Sequence, residues 1–332
     1  MFTGKVEEAR LEYRQWCDAI GIDNLEKLNT VLKDGRGVEF INLCEARQER
    51  KYAEIANGIW ADRQQKKIVM ISGPSSSGKT SSSLRIAQQC RVLGLNPKVV
   101  ELDNYFVNRV DTPLDGDGNY DYESIYAMDM DLLNSQINDM LAGREVELPK
   151  YNFITGEKEF GQHRMKLVQG DILMMEGIHA LNPQLTSAVD RDCIQHIYIS
   201  ALSALMVTDT DHGSTTDKRL LRRMVRDFRT RGQSPEDTIL RWPSVRRGEI
   251  KWIFPYEENA EMVFNSSMLY DLPLLKYFAM PLLEGVAESS PAYSKAAKLI
   301  ELLNRIQALT PSEIAAVPPT SIMREFIGGQ RL

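Results

Sequence analysis

An α/β fold, with a parallel sheet of about five strands flanked by helices, is the architecture this chain predicts, and three observations predict it. Five short apolar runs, IVMIS, KVVEL, DILMMEG, CIQHIYIS and EMVFNSS, recur along the chain. Helical stretches separate them, and that alternation marks parallel strands joined through helices. The first run also leads directly into a loop of small residues, GPSSSG, and then into a further helix.

Taken in order, residues 1–66 read as a helical N-terminal extension. Val6, Leu11, Tyr13 and Trp16 keep near-helical spacing, and Asp23 precedes a segment, NLEKLNTVLKDG, that stops at Gly35. The core domain is expected over 67–310. Its first strand delivers the small-residue loop, followed by a helix from about Thr80 to Leu93 that ends at Gly94, before the Asn96-Pro97 turn opens the second strand. An arginine-rich helical segment follows, then the last strand, then a last helix near Ser294 to Leu309. Residues 311–332 read as a surface strap.

The totals narrow the function classes. A formal charge of -6 argues against a surface adapted throughout to nucleic acid. Cys17, Cys44, Cys90 and Cys193 are scattered, with no CxxC pair, which suits a reducing cytoplasm rather than a disulfide or zinc framework. The first residues form no signal-peptide core, and no apolar run approaches the roughly 20 residues needed to cross a bilayer. A cytoplasmic location and no membrane partner are the expectations.

Gly73, Gly78, Lys79 and Thr80 satisfy G-x-x-x-x-G-K-S/T between a strand and a helix. This is a P-loop, and it predicts a P-loop NTPase fold. Gly73, Pro74, Ser75, Ser76, Ser77, Gly78, Lys79, Thr80 and Ser81 are the expected nucleotide-phosphate-binding residues, and such a loop alone could serve a hydrolase, a motor, a kinase or a switch. Glycine lets backbone N–H groups turn inward onto phosphate, with the helix dipole behind them. Lys79 would reach the outer phosphates, and the Thr80 hydroxyl would join the oxygen shell of Mg2+.

Two carboxylates leave strand ends, where open α/β sheets gather reactive groups. Asp103, in ELDNYF, could take the proton of an attacking hydroxyl or stand beside the metal, or it could simply close a turn. Glu176, in MMEGIHAL, could orient magnesium. His179 nearby is read as fixing its loop. The segment DGDGNYD fails as a calcium loop, because Tyr120 stands at the sixth place and Tyr126 at the twelfth. In DKRLLRRMVRDFRTRG, Arg219, Arg222, Arg223, Arg226 and Arg229 recur at three and four residues, and arginine suits forked recognition of oxyanions.

GPSSSGKTS, ELDNYF, YDYES, LPKYNF, MMEGIHAL and RLLRRMVRD occur in the order and approximate spacing of the uridine kinase family of P-loop kinases, which includes phosphoribulokinase-like enzymes. The chain resembles that family over about Lys67 to Ser267. It is most similar to a bacterial branch whose kinase domain follows modules like the amino-terminal part of threonyl-tRNA synthetase, modules this sequence does not contain. The resemblance implies transfer from ATP, or another nucleoside triphosphate, to a nucleoside 5′-hydroxyl with magnesium. It makes Asp103 the base, with Thr80 and Glu176 at the metal. It places Asp121 on the ribose hydroxyls, Tyr151 beside the base and Tyr105 lining the acceptor pocket. It makes the arginine-rich region, about 205–255, a lid in which Arg223 and Arg226 fall at the substrate and the transferring phosphate, with Arg231 in the turn beyond, and a homo-oligomer is implied.

Two departures bear on the acceptor. The family's base-contacting histidine, five residues beyond the position of Tyr151, is here Gly156, and TILRWPSV offers Arg241 and Trp242 in place of a glutamine. A sugar-like or alcohol acceptor therefore stands beside the pyrimidine nucleoside. A second class is an ATP-binding regulatory or RNA-associated protein, with RWPSVRRGEIKW as its basic, aromatic patch. A lid extension or subunit contact is the preferred reading of that patch.

Overall fold

The computed structural model describes residues 4–203 and 215–332. The expected start of the lid, 205–214, lies outside the described residues. The central sheet runs β2-β5-β1-β6-β7, built from β1 (Ile68–Ser72), β2 (Asn96–Glu101), β5 (Asp171–Glu176), β6 (Ile194–Ser200) and β7 (Met262–Asn265). All pairings are parallel. Every residue of β1 and β5 is buried, as a strand covered on both faces requires, which is why these runs are continuously apolar rather than alternating. The five apolar runs of the sequence are these five strands.

Helices cover both faces. On one, α3 (Gly37–Asp62) and α4 (Lys79–Val92) pack Tyr52, Ile55, Ile59 and Ile86 against Val69, Ile71, Met174 and Ile197. On the other, α5 (Met130–Leu141) sets Leu133, Ile137 and Met140 against Ile68, Met70, Leu173 and Met175. The remaining helices form a lobe with its own core: α1 (Lys5–Ala19), α2 (Leu25–Lys33), α6 (Thr215–Arg231), α7 (Pro235–Trp252), α8 (Asp271–Glu284) and α9 (Tyr293–Asn304). The N-terminal helices join both bodies. Helix α1 ties to the chain just before and after β7, through Lys5 N–H to Glu258 at 2.8 Å and Tyr13 Oη to the Ser267 carbonyl at 3.0 Å. Asn24 caps α2 by accepting from the Lys27 N–H.

Two elements differ from the reading of the sequence. An antiparallel hairpin of β3 (Val146–Asn152) and β4 (Glu157–Met165) stands apart from the sheet. Strand β4 carries no buried residue and so no alternation to detect. The tail is more than a surface strap: α10 (Pro311–Ala316) and α11 (Met323–Ile327) bury Ile322, Met323 and Phe326 against the helical lobe. Among the described residues no helix is long and apolar enough to cross a membrane.

The register fixes where chemistry can occur. Glu176 pairs across β5 with Ile71 on one side and Glu101 on the other, so the carboxyl ends of β1, β5 and β2 finish level. The loop after β1 and the turn after β2 open from that edge.

Candidate active site

Strand β1 ends at Ser72, whose hydroxyl donates to the Ile178 carbonyl at 2.8 Å. At Gly73 the loop runs so close to β6 that a Cβ would collide with the Ile199 carbonyl oxygen. Ser76 and Gly78 take φ of 58° and 82°, the left-handed turns that curl successive N–H groups to one side. Ser266 Oγ holds the Ser77 carbonyl at 2.5 Å from behind. The hydroxyls of Ser76 and Ser77 are buried without a partner among the described residues. Such orphaned groups, beside the N-terminus of α4, fit an anionic ligand with many acceptor oxygens.

Lys79 opens α4, its Nζ 3.4 Å from the Pro74 carbonyl. Its charge bears on three carboxyls: Asp103, Glu123 and Glu176. Glu176 is buried and accepts the Thr80 hydroxyl at 2.5 Å; burial pushes it up to about 7, against the pull of Lys79. The two oxygens suit a hard cation such as magnesium. Asp103 sits in the short 3-10 turn Leu102–Tyr105 that follows β2. Its surface is open to solvent, yet protein crowds it, and this desolvation holds its carboxyl above the usual range while Lys79, Arg231 and Arg226 pull it down.

Helix α6 supplies the two arginines. Asp227, fully buried, collects Arg226 at 2.8 Å, Arg223 at 3.2 Å and Arg231 at 3.5 Å. Arg223 also donates to Ser75 Oγ at 2.9 Å, which joins the helix to the P-loop. Arg219 and Arg222 turn the other way, into buried pairs with Glu249 and Asp271, each at 2.7 Å. Glu249 in turn accepts the Ser75 N–H at 3.2 Å. The stretch RWPSVRRGEIKW therefore lies in α7, pressed on the P-loop through Glu249.

The residues expected at the acceptor are placed less uniformly. Asp121 accepts the Glu123 N–H at 3.2 Å in a loop that α7 clasps through Arg247 to Asp117 at 3.3 Å. Tyr151 is buried on β3, edge-on to Phe106 and Phe153 with centroids at 5.7 and 5.1 Å. Tyr105 corrects the expectation of a pocket-lining ring: it is fully buried and its hydroxyl donates to Gln136 at 2.7 Å, because the turn after β2 points it into the core beneath α5. Gly156 occupies the hairpin turn at φ 79°, where a Cβ would strike the Arg109 side chain. Arg109 fills the space a residue at 156 would need.

Three carboxylates escaped the reading of the sequence. Asp227 had a signal, four residues from Arg223 and from Arg231 on one helix. Glu123, pushed up to about 7 by burial and with Oε2 unpartnered among the described residues, had only its nearness to Asp121. Glu249 had a weaker one, Arg246 three residues before it at 2.6 Å, while its partners Arg219 and Ser75 come from distant segments.

Comparison with known proteins matches residues 68–272 to the model of the Phosphoribulokinase / Uridine kinase family. The chain is 25% identical over 197 residues to the uridine kinase of Deinococcus deserti, covering 59% of this chain and 86% of that one. It is 29% identical over 198 residues to the uridine kinase of Macrococcus caseolyticus, with the same two shares. A solved structure described as a possible uridine kinase from Bacillus stearothermophilus aligns with a TM-score of 0.43 at 19% identity, over 65% of this chain and 98% of that one. Because the matched span takes in the whole parallel sheet, the P-loop and the arginine helix, and more than half of the residues, the chain belongs to the phosphoribulokinase / uridine kinase family.

Proposed function

We propose that this P-loop kinase transfers the terminal phosphoryl group of ATP to the 5′-hydroxyl of a pyrimidine nucleoside, uridine or cytidine. One observation carries the reading: Asp103 and Glu176 leave neighbouring strand ends beside a P-loop whose Thr80 hydroxyl bonds Glu176 and whose Ser75 hydroxyl takes Arg223. Asp103 accepts the proton of the attacking hydroxyl, and its raised affinity for a proton suits that task. Lys79, Arg223, Arg226 and Arg231 spread positive charge over the phosphoryl oxygens in flight. Thr80 and Glu176, with Asp103 nearby, would hold a magnesium ion, which when bound neutralises phosphate charge. Asp121 receives the ribose hydroxyls, and Tyr151 lies toward the base. Helices α6 and α7 keep water from the phosphoryl group.

The place of Arg109 above Gly156 favours a second acceptor class, a sugar or alcohol without a base. A screen of nucleosides and sugars for ATP-dependent phosphorylation, with Lys79→Ala as control, separates the two. Product from uridine or cytidine supports the first. Product only from sugars supports the second, and MgATP binding with no product from any acceptor defeats both.

A further inference from the structure

The C-terminal strap reaches the phosphate-binding turn itself. At the start of α4 the Ser82 N–H is the first to find a helical partner, the Gly78 carbonyl at 3.0 Å, which leaves the Ser81 N–H as the last orphan donor of that end. Its partner comes from 244 positions away along the chain: Glu325 Oε2 lies 3.4 Å from Ser81 N and 2.5 Å from Ser81 Oγ. Gln330 donates to the same Ser81 hydroxyl at 2.7 Å. Ile322 presses its Cδ1 on Gly78, in the space a Cβ there would need. Ser81 is completely buried as a result.

The carboxylate also engages the lid helix. Arg226 Nη1 approaches Glu325 Oε1 at 4.0 Å, while Arg229 donates to the carbonyls of Glu325 and Phe326 at 3.2 and 3.4 Å. An anion therefore already stands on the positive end of α4, paired with an arginine that the proposed reaction assigns to the phosphoryl group. A P-loop uses these same N–H groups to cradle nucleotide phosphates. Two anions cannot share one N–H, and a phosphate brought beside Glu325 would be repelled.

We propose that Glu325 is a built-in competitor for the donor's phosphate chain, so that docking of residues 321–330 on Ser81 and binding of a nucleoside triphosphate exclude one another. The inference rests on the phosphate-binding reading of the loop. Donor binding expels the Glu325 carboxylate from Ser81, releases Arg226 toward the phosphates and loosens the strap. A further partner that holds the strap away from Ser81 would then raise donor affinity without touching the acceptor side.

The test is calorimetric titration of MgATP into the parent protein, Glu325→Gln and Glu325→Ala, with Lys79→Ala as the loop control. Removing the charge is expected to tighten MgATP about tenfold, the size of one charge-assisted hydrogen bond no longer displaced. Equal or weaker binding in both variants overturns the proposal while leaving the loop reading intact. If neither the parent nor the variants bind MgATP, the loop reading falls and the proposal with it. Hydrogen exchange in the parent protein gives a second measure that needs no variant. Saturating MgATP is expected to speed exchange at Gly328, whose N–H bonds the Arg324 carbonyl at 2.9 Å, and unchanged or slower exchange there counts against the competition.

Discussion

Replacing Glu176 with glutamine should stabilise the ligand-free protein at alkaline pH. Glu176 is 6% exposed, and its carboxyl rises from 4.5 to about 7 chiefly through desolvation. A rise of that size, at about 1.4 kcal/mol for each tenfold in proton affinity, amounts to roughly 3 kcal/mol. The folded state binds the proton more tightly than the unfolded chain, so between 4.5 and about 7 the folded state holds more protons. The stability from this group is therefore complete below 4.5 and is lost as pH climbs through about 7. Glutamine keeps an oxygen for the Thr80 hydroxyl and never ionises. Urea unfolding of both proteins at pH 5 and pH 8 should show the variant gaining about 2 kcal/mol on the parent between the two conditions. Adding MgATP should restore the parent and not the variant, because a cation at Thr80 and Glu176 favours the ionised carboxylate. A stability difference that is the same at both pH values, or that moves the other way, would refute the claim that Glu176 is a buried, poorly compensated charge.

Asp103→Asn should cut turnover by about 10²- to 10⁴-fold, the usual range for loss of a general base, while MgATP affinity by titration stays within about twofold; undiminished turnover removes Asp103 from that role. Asp271→Ala strands Arg222 and Lys218, both buried, and should cost about 3–5 kcal/mol in urea unfolding. Arg222→Met should cost less, because Lys218 still faces Asp271 at 3.7 Å, and an equal loss in the two variants would contradict that arrangement. Gly156→His should destabilise the hairpin by about 1–3 kcal/mol through its left-handed backbone and the clash with Arg109, measured by thermal unfolding, and it should not improve use of uridine.

The P-loop, the five strands and the two strand-end carboxylates were legible in the sequence because each depends on local rules. Glycine spacing sets the turn, apolar runs set buried strands, and Asp103 and Glu176 follow those runs at once. A parallel sheet then aligns its strand ends by register, so residues distant in sequence arrive together. The hairpin was invisible because β4 buries nothing and so carries no period.

Tertiary contacts alone settle which arginines gather beside the P-loop and which face the core. Arg219, Arg222, Arg223 and Arg226 share one chemistry and one spacing on α6. Their fates diverge because Glu249 and Asp271 arrive on α7 and α8 to draw the first two inward, while Asp227 gathers the others beside Ser75. The turn after β2 likewise sends Tyr105 into the core, and the folded tail carries Glu325 onto Ser81. Sequence periodicity reports which side of an element is apolar. It holds no record of the opposite charge that a distant segment brings, and in a buried site that partner decides where a charged side chain can rest.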